Sequence, residues 1–540
     1  MTDAASLFLH AQQLYGAGRF GQAKAVCEQI CAQGQADARV WCFLSVVNGQ
    51  LGDYASAVNC ARQSLSLAPD YTDACMNLGA ALINLEKTDE AIAPLEKVLS
   101  INPAHEQGRI LLGRAYLYSG RFDDALACYE QVLQQSPGDI NILTCLADAY
   151  EYAHHLEEAR KVIGSALEIS PEHVEANIIA ARLDTRTGKY VEAKERLKKI
   201  QASGLREHLQ ESVLYQLGLT CDRMSEYPEA FAAFSECNRI ASRRYGNRFD
   251  PGRFFTRISR YKDATSQSTV EKWDDYAPDP GERRAPIFLV AFPRSGTTLT
   301  EQILSSHPNI VASNEALYIN RLIEQLPSLC HGKAGDFPYG LGELDHNDIR
   351  LLRKTYWGYA ESDCREAGVK RFLDKLPLNI VEVGFIHRIF PDALFIFACR
   401  DPRDVCLSAF FQRFRGNNAM AAFLDFETTA RLYKETLALW FHYQRVFKLA
   451  VHESRYESLV VDPESYARKL IDFVGEVWDP TVLEYYRKDK KRNVLTPSYQ
   501  DISQPTYTRS MERWRNYLDE IGPIKEALAP FVEHFGFPQD

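Results

Sequence analysis

Two patterns of hydrophobic and polar positions divide the chain. Up to about Ile240, small apolar residues return with a step of 34: Ala23, Ala57, Ala91, Ala125, Ala159 and Ala193. Pro69, Pro103, Pro137 and Pro171 keep the same step, and so do Ser45, Gly79, Gly113, Ala147 and Ala181, one helix earlier. Turn-like segments, GRFGQA, GDYASA, GRFDDA and GKYVEA, lead into the alanines. Three position classes on one period predict a stack of helical hairpins. Small residues let the two helices of a hairpin approach, and proline ends the second helix before the next begins. A looser seventh copy carries Ala230, 37 residues after Ala193. From about Arg243 the period stops, and a stretch rich in charge, Pro and Gly follows, ending in WDDYAPDPGERRAP. Beyond it PIFLVAF, RFLDK, ALFIFAC and RYESLVV read as short apolar strands, alternating with amphipathic helical stretches such as LTEQILSS. That alternation predicts an α/β domain with a mainly parallel sheet.

The first half resembles the tetratricopeptide repeat in period and residue types, which implies an all-α superhelix. Such arrays bind a peptide or another protein along a concave face, so a protein or peptide ligand is the expected partner. A spacer or homodimerisation scaffold is the alternative.

Composition narrows the remaining classes. At 540 residues the chain calls for two or three domains, and 46% hydrophobic with 25% charged residues is ordinary for a globular protein. The formal charge of −10 argues against general affinity for nucleic acid or anionic lipid, leaving room for a local basic pocket. The amino terminus lacks the basic and apolar regions of a secretory signal, and the longest apolar runs are strand-sized. A cytoplasmic protein with no membrane association is the expectation. Thirteen cysteines include no CxxC pair, and Cys27 and Cys31, four apart, have no second pair of ligands nearby. Buried free thiols, and no metal, are expected.

The chemistry starts at FLVAFPRSGTTLTEQIL, 288–304, where an apolar strand enters a tight turn and a helix leaves it. The layout is P-loop-like: backbone N–H groups at a helix start, joined by the hydroxyls of Ser295, Thr297 and Thr298, can hold an anion. The lysine of a nucleotide-hydrolysing loop is missing, and the one cation, Arg294, precedes Gly296. A second stretch repeats the theme. ALFIFAC ends in Arg400, Asp401 and Pro402 make a helix start, and Ser408 falls eight residues beyond Arg400. Arginine and hydroxyl could clamp another phosphate.

Together these stretches resemble sulfotransferases that use 3′-phosphoadenosine 5′-phosphosulfate. In that family a PxxSGTT-like loop holds the 5′-phosphosulfate, and an R…S pair eight apart holds the 3′-phosphate. The resemblance implies this donor as co-substrate and divides the chain into a repeat domain at 1–242, a linker at 243–284 and an α/β sulfotransferase domain at 285–540. Within the family the sequence is most similar to tyrosylprotein sulfotransferases, which share PRSGTTL (Pro293–Leu299) and the following His307–Pro308. The likeness implies that Glu315, 21 residues after Arg294, is the catalytic base, and that Lys375 of DKLP is a catalytic lysine. It also matches Tyr456 in RYESLV, Ser498 in TPSYQDISQP, and Arg513 beside Trp514 in SMERWRNY. Arg294, Ser295, Gly296, Thr297, Thr298, Leu299, Arg400, Ser408, Tyr456, Ser498 and Arg513 are thereby the implied donor-binding set, with Arg294 and Ser498 also assisting catalysis. Asn314 stands where those enzymes carry a second acid, and the fusion to repeats looks like bacterial-type tetratricopeptide repeat sulfotransferases.

The implied reaction moves a sulfuryl group to a hydroxyl, with tyrosine of a protein or peptide first and a small molecule or carbohydrate second. His307 and His387 are alternative bases, read as structural. A nucleoside-triphosphate enzyme lacks its Gly–Lys–Ser/Thr, and Arg400 stands where a magnesium-binding acid would follow the strand. An inactive repeat scaffold is the remaining alternative.

Overall fold

The computed structural model describes residues 4–485 and 510–539, apart from positions 86, 202–203, 274, 314, 334, 365–370 and 415. It forms two compact units, Met1–Ser203 and Gly204–Asp540.

Helices of the first unit follow in pairs: α1 (Ala4–Gly16) with α2 (Phe20–Ala32), α3 (Ala38–Gln50) with α4 (Tyr54–Leu67), and α5 (Thr72–Asn84) with α6 (Thr88–Ile101). Then come α7 (Glu106–Tyr118) with α8 (Phe122–Gln135), α9 (Ile140–Tyr152) with α10 (Leu156–Ile169), and α11 (Val174–Arg186) with α12 (Tyr190–Gln201). The periodic alanines are all buried at the hairpin seams. The periodic glycines are there for space: a Cβ on Gly79 would lie 2.6 Å from Leu95, and one on Gly113 would lie 2.8 Å from Tyr129. Asp37, Asp53 and Asp139 cap their helices by accepting from backbone N–H groups of the first turn. A polar ladder also keeps the period. Arg114, Asp148 and Arg182 stand one repeat apart on α7, α9 and α11. Arg182 pairs with Asp148 and Glu151, and Arg186 Nη1 reaches Glu151 Oε1 at 3.1 Å. Arg114 and Asp148 both act on the Cys145 thiol, which burial pushes up.

The second unit opens with one more helical hairpin, α13 (Glu207–Arg223) and α14 (Tyr227–Tyr245), so the loose seventh copy belongs here. Phe234 of α14 stacks on Phe411 at 4.2 Å, and Phe231 meets Phe410, Phe426 and Tyr517. Asn238 Nδ2 donates to the Phe410 carbonyl at 2.9 Å. The segment expected as a linker contains α15 (Pro251–Ala264) and the short α16 (Gln267–Val270). Tyr261 of α15 is fully buried and donates to Glu382.

Five strands follow: β1 (Ile287–Ala291), β2 (Ile310–Ala312), β3 (Arg371–Lys375), β4 (Leu394–Cys399) and β5 (Ala450–Arg455). All are parallel, in the order β2–β3–β1–β4–β5. Strand β1, IFLVA, is buried throughout, as its unbroken apolar character requires, and β3 is buried throughout although Arg371, Asp374 and Lys375 are charged. Helices α17 (Thr297–Ser305), α18 (Tyr318–Leu329), α19 (His346–Cys364) and α20 (Val383–Ile389) alternate with β1 to β4. Then come α21 (Pro402–Phe410), α22 (Phe426–Val446), α23 (Tyr456–Val461), α24 (Pro463–Phe473) and α25 (Gly522–His534). One strand assignment changes. RYESLVV was expected as a strand, but β5 is the preceding, more polar AVHESR, and α23 starts at Tyr456. An edge strand tolerates polar residues, whereas Leu459 and Val460 are buried on the helix. Among the described residues no helix is long and apolar enough to cross a membrane.

Candidate active site

Parallel strands deliver their following loops to one edge, and the chain changes direction across the sheet at β1. At that edge every strand is followed by expected residues, in spatial order Glu315, Lys375, Arg294–Thr298, Arg400 and Tyr456.

The loop after β1 is a tight turn. Arg294 and Gly296 have φ of 73° and 93°, both left-handed, and α17 starts at Thr297. A Cβ on Gly296 would lie 2.6 Å from Tyr456 Cδ2, so only glycine admits the tyrosine ring against the turn. Ser295, Thr297, Thr298 and Leu299 are buried around it. Arg294 Nε donates to Ser408 Oγ on α21 at 3.0 Å, joining the two stretches that the sequence separates by more than a hundred residues.

Arg400, at the end of β4, is buried. Its Nη1 donates to the Arg294 carbonyl at 3.4 Å, its Nη2 to the Ser510 carbonyl, and its guanidinium lies 4.9 Å over the Tyr456 ring. Asp404 pairs with it at 3.5 Å. Burial pushes the Asp404 carboxyl above its ordinary value, with Arg400 opposing. Arg400 Nε is buried without a hydrogen-bond partner among the described residues. An orphaned buried guanidinium N–H beside a left-handed turn suits an anion such as a phosphate.

On the other side, Lys375 ends β3 with its side chain fully buried, and its Nζ donates to Glu315 Oε1 at 2.6 Å. Glu315 keeps 39% of its side chain exposed and has a left-handed φ of 51°. Ser313 Oγ accepts from the Lys375 backbone N–H at 3.0 Å, which ties the two loops together. A carboxylate open to solvent beside a buried ammonium offers a proton acceptor and a fixed positive charge within one site.

Both alternative histidines are otherwise engaged. His307 Nδ1 accepts from the Asn309 backbone N–H at 3.1 Å, so its Nε2 is the donor to the Val477 carbonyl at 2.8 Å. His387 packs 4.7 Å from the Phe447 ring, and burial, with Arg388 nearby, holds its pKa down at about 4. Arg513 lies at the end of α21, 5.2 Å over the Phe411 ring and paired with Asp222 at 2.8 Å. Ser498 and Asn314 lie outside the described residues.

Ser313, Asp404 and Asp222 support these residues without standing in any of the motifs. Asp404 follows Arg400 by one helical turn, a spacing that signals an ion pair. Nothing local marks Ser313 or Asp222.

A model described as the sulfotransferase family matches residues 286–480, and a tetratricopeptide repeat model matches residues 7–170. The chain is 30% identical over 312 residues to an uncharacterized protein of Aquifex aeolicus, a match covering 57% of this chain and 40% of that one. It is 23% identical over 276 residues to a protein-tyrosine sulfotransferase of Drosophila melanogaster, covering 46% of this chain and 51% of that one. The chain thus spans about half or less of the length of these two relatives. A solved tetratricopeptide repeat protein from Parabacteroides merdae aligns with TM-score 0.36 and 17% identity, over 40% of this chain and 84% of that one.

Proposed function

We propose, because this chain joins tetratricopeptide repeats to a sulfotransferase-family domain, that it transfers a sulfuryl group from 3′-phosphoadenosine 5′-phosphosulfate to a hydroxyl, that of tyrosine in a protein or peptide. The observation that carries the reading is the row of site residues along one sheet edge, with a Glu–Lys pair at one end and an orphaned arginine N–H at the other. The donor supplies an activated sulfuryl group whose departure leaves 3′-phosphoadenosine 5′-phosphate.

Arg294 and the N–H groups and hydroxyls of Ser295–Leu299 hold the phosphosulfate. Arg400 and Ser408 select the 3′-phosphate, and Tyr456 and Arg513 complete the donor site. Glu315 takes the proton from the acceptor oxygen, and that oxygen then forms the new bond to sulfur. Lys375, desolvated and held by Glu315, stabilises the charge that builds on the sulfuryl and leaving oxygens. Ser498 is assigned an assisting role. In-line transfer of this kind depends on positioning and charge, and no described side chain needs to form a covalent intermediate. The repeats supply a docking surface that raises the effective concentration of a protein acceptor.

The test is transfer of label from 35S-labelled donor to tyrosine-containing peptides and to a cell extract. Label on tyrosine, reduced by Glu315→Gln by about 10²–10⁴ in turnover, is expected. Label confined to small molecules overturns the acceptor. No label, and no thermal stabilisation by 3′-phosphoadenosine 5′-phosphate, overturns the donor as well.

A further inference from the structure

Asp222, near the end of α13, lies in the helical hairpin and outside the α/β fold that carries the site. We propose that it is a positioning residue for donor binding, fixing the guanidinium of Arg513 at the end of α21. This rests on the donor reading above.

One oxygen of Asp222 gathers three donors. Arg513 Nη2 approaches Oδ1 at 2.8 Å, Arg513 Nε donates to it at 3.2 Å, and the Tyr517 hydroxyl donates to it at 2.7 Å. The carboxylate is only 11% exposed, so solvent does little of this work. Burial acts against the Arg513 charge, and Asp222 outweighs it, holding its pKa above the ordinary value.

The segment carrying Arg513 is pinned to the site at further points. Ser510 accepts from Arg400, and the Trp514 backbone N–H donates to Asp404 Oδ1 at 2.8 Å. Asp404 in turn pairs with Arg400, and the Arg513 guanidinium rests over Phe411, three residues beyond Ser408. Asp222 is therefore the outermost member of a connected set that ends at the two residues assigned to the 3′-phosphate.

Attachment of the hairpin does not explain Asp222. Phe231, Phe234 and Asn238 already dock α14 on Phe410, Phe411, Phe426 and Tyr517. A buried carboxylate near an anion site repels the ligand unless a cation stands between them, so orienting Arg513 accounts for its place. Without it the arginine loses its fixed geometry, and the Tyr517 hydroxyl loses its acceptor.

The experiment uses the full chain with Asp222→Asn, which keeps the shape and removes the charge. Affinity is measured for 3′-phosphoadenosine 5′-phosphate and for adenosine 5′-phosphosulfate, which lacks the 3′-phosphate. Affinity for the first ligand and 1/KM for the donor should both fall about 10-fold, with kcat and the second ligand within about twofold. In an Arg513→Ala background the same substitution should add less than about twofold. An unchanged ratio between the ligands, tighter binding, or a fully additive loss overturns the assignment. Should the amide variant not fold, Asp222→Glu takes its place. It keeps the charge but displaces the guanidinium, and a selective loss of about threefold or more is expected, while none overturns the assignment. Failure of the wild type to bind either nucleotide removes the donor reading itself, and this assignment with it.

Discussion

Gly296→Ala tests whether the turn after β1 is built around the Tyr456 ring. The added methyl would sit 2.6 Å from Tyr456 Cδ2 and 3.2 Å from its Cβ and Cγ. Swinging the ring cannot relieve the contact with Cβ, which is fixed by the first residue of α23, so backbone must move. Overpacking of this kind costs about 1–3 kcal/mol. The residue also holds φ at 93°, and a side chain in the left-handed region adds about 1–2 kcal/mol. The two together make about 2–5 kcal/mol, and at about 2 °C per kcal/mol for so large a unit the melting midpoint of the second unit falls by about 4–10 °C. Because Arg400 also lies over Tyr456, moving that ring disturbs the site proposed for the 3′-phosphate, and affinity for 3′-phosphoadenosine 5′-phosphate should fall as well. Scanning calorimetry and titration calorimetry read the two effects. Gly281→Ala is the control, since its Cβ would meet nothing within 4 Å. A Gly296→Ala midpoint within about 1 °C of wild type, with affinity intact, would refute the packing argument.

Lys375→Met should keep the buried stem and lose the charge, lowering turnover by about 10²–10³ at nearly unchanged donor affinity. Because Glu315 can rehydrate, with 39% of its side chain exposed, the midpoint should move little; a large midpoint drop would show the pair to be structural. The thiols offer a prediction in the first unit. Burial pushes Cys27 up to about 12 and Cys60 and Cys128 up to about 11, so at pH 8 these thiols stay protonated and unreactive. Iodoacetamide should label these three only after unfolding, and later than partly exposed Cys31; mass spectrometry of native protein showing Cys27 modified early would contradict the burial.

What was legible in the sequence was whatever repeats or sits at a strand end. The step of 34 is visible because each hairpin seam needs the same small residue, and Gly79 against Leu95 shows why. Arg294, Glu315, Lys375 and Arg400 were named from short motifs, and the parallel sheet brings them to one edge. Strand β5 was missed because a polar edge strand precedes a buried apolar helix, the reverse of the usual hydropathy cue. The place of α13 and α14 was hidden for a different reason. Phe231, Phe234 and Asn238 look like ordinary repeat residues, and only their partners at 410, 411 and 426 show that they serve the second unit. Asp222 reaches Arg513 across 291 positions, a pairing that no local pattern encodes.

The ladder of Arg114, Asp148 and Arg182 fixes the order of three neighbouring units. Genes for tandem repeats grow and shrink by unequal crossing-over, which adds or drops whole units while every seam stays well packed. Here the sign changes at two successive steps, so removing the unit that carries Asp148 would set Arg114 beside Arg182, like against like, and leave Arg186 without Glu151. The ladder ends there, since the positions one step beyond it are Ala80 and Gln216. The hydrophobic seams are indifferent to which unit is lost; the ladder is not, and it marks the unit carrying Asp148 as the one this stretch cannot drop without setting like charges together.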